Sequence, residues 1–272
     1  MTLSPPTVLR IAANVFKESV RDKVLYNLVV FAVLLISLSY LIGQLTAGQD
    51  MKIIKDLGLA SISIFGLLIA IFIGIGLVWK EVERRSIYAL LSKPMRRSEL
   101  VLGKYCGLVL TLLINIAVMT IAFYALLAYI NWVIDPAVRL SWPAPAVDPA
   151  MLKAIVLIVI ELMLVTAIAL FFSTFSSPFL SAILTIGLWV IGHFGADLRN
   201  FGGVVGSPVA AAVARGLYYV LPNFSAFDVK AQVVHGQAVP LGYVGLTSLY
   251  GLTYLALVLV GAVAIFSRRD FK

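Results

Sequence analysis

The feature that most limits this chain is a series of six long apolar runs, at about Val24–Leu45, Leu57–Trp79, Cys106–Ile130, Met151–Phe172, Phe179–Phe194 and Tyr243–Phe266. A bilayer core takes about 20 apolar residues per helical span. The chain has 272 residues, 61% of them apolar and 12% charged, which is more apolar surface than one water-soluble core can bury. The runs therefore predict an all-α integral membrane protein with six transmembrane helices in a single domain over 1–272. What remains suffices for loops and one small folded excursion, and leaves no room for a fused nucleotide-hydrolysing domain of roughly 200 residues. The fifth run is short and carries Gly187, Gly192 and Gly195, so a broken outer end is expected there.

Charge gives the orientation. The net charge is +8, but fourteen of the 21 lysines and arginines fall on one side of the six-span arrangement. They sit in the N-terminal segment (Arg10, Lys17, Arg21, Lys23), in the 80–104 loop (Lys80, Arg84, Arg85, Lys93, Arg96, Arg97, Lys104) and in the tail (Arg268, Arg269, Lys272). Basic residues concentrate in cytoplasmic loops, so both termini are predicted to be cytoplasmic and the basic balance reports topology rather than nucleic-acid binding. One cysteine, Cys106, and two histidines, His193 and His235, provide neither an internal disulfide nor a dedicated metal cage.

Residues 5–23 place apolar side chains on one helical face and charges on another, which predicts an interfacial helix along the inner membrane surface. The run after it is longer than a signal-peptide core and lacks a clear small-x-small cleavage site, so it reads as a retained first span. On the outer side the loop at 46–56 is expected to be short. Segment 131–150, with Trp132, Trp142 and four prolines, suggests an extended and fairly stiff excursion. The last outer excursion, 197–242, contains an apolar, small-residue stretch from Pro208 to Leu221 that is too short to span and fits a re-entrant or interfacial helix.

The 80–107 stretch is the richest in signals. Helix is expected to run from the second span through Glu81 and Glu83 to about Ser92, break at Lys93 before Pro94, and restart with Ser98 as cap and Glu99 in the first turn. The result is a cytoplasmic elbow, 80–104, whose Ile87, Leu90 and Leu91 recur at helical spacing. Such a face suits a partner's groove; the seven basic residues equally suit anionic lipid headgroups. Gly103-Lys104 is not a phosphate-binding loop, because Ser98 stands where the first glycine is needed and Tyr105 where Ser or Thr is needed. Gly103-x-x-x-Gly107, with Gly66, Gly74 and Gly76, permits close helix approach and is modest evidence for a dimer face.

The pattern Glu81-x-Glu83, Ser86-Ile87, Leu90-Leu91-Ser92-Lys93-Pro94, Arg97 and Leu102-Gly103-Lys104-Tyr105 resembles ABC-2-type permease subunits of ABC transporters. It is most similar to the small stand-alone permeases associated with multicopper-enzyme maturation, such as the one serving nitrous-oxide reductase. Leu221-Pro222-Asn223-Phe224 resembles their outer-loop motif. The resemblance implies a six-helix exporter subunit of the bacterial inner membrane, a homodimer, and a separate ATPase subunit that binds ATP and Mg, with no cofactor in this chain. It makes Ser86–Leu91 the coupling helix, flanked by Arg84, Arg85, Ser92, Pro94 and Arg97. It also gives the 173–178 loop (Thr174, Ser176, Ser177) the position of a second cytoplasmic contact. Many relatives carry Gly-Thr where this chain has Arg85-Ser86.

Glu161 falls inside the fourth run, and an intramembrane carboxylate is a functional candidate because its charge is costly to bury. It suits a cationic substrate group or a proton relay; a protonated carboxyl bonded to a neighbouring helix is the structural alternative. His193 reads chiefly as an interfacial residue. Neither histidine belongs to a Gly-x-Ser-x-Gly or His-Glu-x-x-His motif, which argues against hydrolytic chemistry. Besides the ATP-driven permease, two readings stay open: a scaffold that signals through an ATPase to a periplasmic protein, and a proton-coupled secondary transporter.

Overall fold

The computed structural model describes residues 5–45, 50–83, 97–140, 142–195 and 208–268. All of their regular structure is helical: α1 (Pro5–Val20), α2 (Lys23–Gln44), α3 (Asp50–Glu83), α4 (Arg97–Val133), α5 (Pro136–Arg139), α6 (Met151–Ser173), α7 (Pro178–His193), α8 (Pro208–Val220), a 3-10 turn (Phe224–Phe227), α9 (Lys230–Val234) and α10 (Leu241–Arg268). Five of them, α2, α3, α4, α6 and α10, are long and apolar enough to cross a membrane. At 1.5 Å per residue α4 is about 55 Å long and α7 only about 24 Å. The fifth run thus forms a helix shorter than a bilayer core of about 30 Å.

Helix starts follow local chemistry. Asp22 accepts a hydrogen bond from the Val24 amide at 3.0 Å and sets the corner between α1 and α2. Ser177 caps α7, where Pro178 takes a first-turn position that needs no amide donor.

Helices α3 and α6 form the centre, each with 67% of its most apolar window buried, whereas α2 and α10 flank them at 22% and 28%. The amphipathic α1 packs along the start of α4. Gly107 is what permits this approach, since a Cβ there would lie 2.7 Å from both the Ala12 carbonyl oxygen and the Val15 side chain. Gly103 faces Ile11 in the same way. The Gly103/Gly107 seam is thus filled by the chain's own first helix.

Two outer-side expectations are corrected. Residues 50–56 are not loop but the first turns of α3, and the charged Lys52, Lys55 and Asp56 had hidden this from an apolar-run criterion. Segment 142–150 does not extend outward. It folds back onto the helices, burying Ala144 and Ala146. Lys55 donates to the Pro145 carbonyl at 2.7 Å and the Tyr124 hydroxyl to the Asp148 carbonyl at 3.1 Å. Lys153 similarly fastens the next excursion through the Val239 carbonyl at 2.7 Å.

Candidate functional site

α3 continues to Glu83, so Glu81 and Glu83 lie on a helical extension of the second span, as the sequence predicts. Arg84, Arg85, Ser86, Ile87, Leu90, Leu91, Ser92 and Pro94 lie outside the described residues. Helix resumes at Arg97 with Glu99 in its first turn. The Arg97 guanidinium donates to the Ser267 carbonyl at 2.8 Å and to the Phe266 carbonyl at 3.4 Å. These carbonyls belong to the last turn of α10, where a cation is favoured by the helix dipole. Arg97 therefore ties the exit of the elbow to the end of the last span.

The 173–178 loop uses its hydroxyls internally. Thr174 is buried and bonds the Phe171 carbonyl; Ser176 bonds the Phe172 carbonyl and the Ser181 hydroxyl; Ser177 caps α7. What this loop offers to the outside is Phe175 and Phe179, the latter 77% exposed, beside Ser177. The resemblance had pointed to the three polar residues, and their bonds within the loop and to the start of α7 explain why they are spoken for.

Glu161 lies near the middle of α6 and is 2% exposed. Its Oε1 accepts a hydrogen bond from the Trp189 indole N–H at 2.7 Å and stands 3.6 Å from His193 Nε2. Trp189 and His193 are four residues apart and so share one face of α7. Their rings lie 4.3 Å apart, and His193 Nδ1 is 3.0 Å from the Trp189 carbonyl oxygen. The imidazole also lies nearly parallel to Phe224, with ring centroids 5.8 Å apart and an interplanar angle of 16°.

Phe224 belongs to Leu221-Pro222-Asn223-Phe224, which the structure brings from the last excursion to the middle of α6 near Ile160, the end of α7 at His193, and Tyr250 of α10. Phe224 and Phe227 are fully buried. Gly192 makes room for them, since a Cβ there would come within 2.6 Å of the Pro222 carbonyl oxygen and would also meet the Phe224 ring. The segment is held by two tyrosines of α10: the Asn223 amide donates to the Tyr250 hydroxyl at 2.9 Å, and the Tyr243 hydroxyl donates to the Ala226 carbonyl at 2.8 Å. Asp228 and Lys230, paired at 3.3 Å, act electrostatically on both Glu161 and His193. The sequence reading identified Glu161 and His193 separately and missed Trp189, Tyr250 and Lys230. The four-residue spacing of Trp189 and His193 was the available signal; the return of Phe224 to this place had none.

The model of the family described as "ABC-2 family transporter protein" matches residues 9–271, and the chain belongs to that family. No curated protein matches the chain. The match makes the chain a multi-pass membrane protein and a permease component of an ABC transporter, a transport component that is not itself catalytic.

Proposed function

We propose that this permease is the membrane half of an ATP-driven exporter in a bacterial inner membrane, with both termini cytoplasmic, and that it works as a homodimer on two copies of a separate ATPase subunit. ATP and Mg are held by that partner, and the short α7 counts as the fifth of six spans. The observation that carries this reading is the family match over almost the whole chain, joined to a Gly103-Lys104 pair that lacks the other residues of a phosphate-binding loop.

The elbow 80–104 receives the ATPase. Ile87, Leu90 and Leu91 supply the buried face, and Glu81, Glu83, Arg84 and Arg85 orient it. Arg97 acts inward: from its seat on the last carbonyls of α10 it passes displacement of the elbow to the sixth long run. α10 is one continuous helix of 28 residues that also holds the outer segment through Tyr243 and Tyr250. Coupling requires an element that both sites bias, and α10 touches both. Phe175 and Ser177 form the second contact, and α8 lies at the outer interface with lipid.

The folded outer cap favours a second reading, in which the same motion is delivered to a periplasmic partner docked on the 142–150 and 197–242 excursions. Purification in mild detergent followed by mass spectrometry tests the main reading: an ATPase bearing Walker motifs, near 1:1, is the expected result. Its absence, even with an ATP analogue and native lipid, overturns it. Glu83→Lys and Leu90→Asp should each lower substrate-stimulated ATPase activity in the reconstituted complex while leaving the helical fold intact. Normal coupling in both removes the elbow from the mechanism.

A further inference from the structure

A carboxyl group buried in a membrane bundle avoids an isolated charge by holding a proton or by sharing one with a basic neighbour. Glu161 has that neighbour. His193 Nε2 is 3.6 Å from its Oε1, so a small rotation of the imidazole brings the two into direct hydrogen-bond contact. The Trp189 N–H fixes the carboxyl from a second direction at 2.7 Å. The Glu161 side chain is 3% exposed and that of His193 25%, so His193 is the member open to solvent, and the Lys230–Asp228 pair beside them is 20% and 40% exposed. We propose that Glu161 and His193 form a proton-binding site that exchanges with the membrane face carrying the 222–227 segment, and that this segment is its cover.

The pair holds one shared proton at neutral pH, as carboxyl with neutral imidazole or carboxylate with imidazolium; both forms have no net charge. A second proton enters from water at His193, the more exposed member, and leaves a carboxyl beside an imidazolium with a net charge of +1. The charged groups facing the pair from the neighbouring segment are Asp228 and Lys230, which offset each other, and α7 adds the Trp189 indole. Phe224 lies nearly parallel to the imidazole with ring centroids 5.8 Å apart, so proton exchange and seating of this segment are linked. ATP-driven transport does not require such a site, and the site goes beyond that reading.

The test is infrared difference spectroscopy of the purified chain in nanodiscs of phosphatidylethanolamine and phosphatidylglycerol, taken between about pH 5 and about pH 9, the range in which an imidazole titrates. The expected result is a carboxyl C=O band that titrates, disappears in Glu161→Gln, and changes its midpoint by about one pH unit or more in His193→Gln, as a coupled pair requires. A band absent over that range, or a titration unchanged in His193→Gln, overturns the site. Should Glu161→Gln fail to fold, Trp189 supplies a second reading. The emission difference between the natural chain and Trp189→Phe must follow the same pH steps, and a flat difference overturns the proposal. No ATPase enters these measurements, so their failure leaves the coupling reading standing, and failure to find an ATPase leaves the proton site standing.

Discussion

Lys55 and Glu161 pose the same physical problem in two regions and solve it differently. Each is an ionisable side chain almost wholly removed from solvent, 1% and 2% exposed. Lys55 reaches a main-chain carbonyl, that of Pro145, with Asp148 close enough to act on its charge. A carbonyl keeps the same charge state under all conditions, so this partnership is a fastener for the 142–150 segment. Glu161 meets one fixed donor, Trp189, and one titratable ring, His193. Burial is therefore offset by a permanent partner in one place and by a partner that can gain or lose a proton in the other.

The sharpest way to break this contrast is Lys55→Met. Hydrogen bonds to charged groups contribute about 1.5–3 kcal/mol, so a loss of about 2–3 kcal/mol is expected, the largest among the changes considered. Thermal unfolding would record it, and amide exchange would rise across 142–150. If that segment stays protected in Lys55→Met, the lysine is not what fastens it. The next effect is the split between two changes at Glu161. Glu161→Leu leaves the Trp189 N–H without its acceptor, at a cost of about 1–3 kcal/mol, whereas Glu161→Gln keeps an oxygen there and should cost less than about 1 kcal/mol. Equal losses in thermal stability from both would mean that packing, not the indole bond, decides this site.

The two regions were not equally legible in the sequence. Helix existence came from apolar runs, and Met151–Ser173 matches its predicted span within a residue. The same criterion placed the start of α3 too late, because an apolar count cannot see that Lys55 turns inward toward a carbonyl 90 residues away. Prolines in 131–150 spoke for a stiff extended segment, yet buried Ala144 and Ala146 hold it down. Glu161 was visible by its rarity inside an apolar run. Its neighbours were not, since the stacking of His193 on Phe224 joins residues 31 apart through a returning segment that no helical period encodes. Gly103-x-x-x-Gly107 was legible as a close-approach seam but not as the seat of α1, because the motif specifies a small surface and says nothing of what covers it.

The smallest expected effect probes whether the regions are separable at all. Tyr250→Phe removes the acceptor of the Asn223 amide, and because Asn223 is only partly buried, water can replace part of the lost bond. The cost should be about 0.5 kcal/mol, the low end for a single hydrogen bond. Amide exchange at Asn223 should accelerate, and Trp189 emission should change, because the loosened segment carries Phe224, which covers the imidazole beside that indole. Protection of 142–150 should stay as it is, since Lys55 and Tyr124 fasten that segment without Tyr250. If exchange rises in both segments together, the outer side unfolds as one unit and the contrast between a fastener and a switchable site fails. If only 222–227 responds, the segment over His193 moves independently of the cap, as a cover for a proton site must.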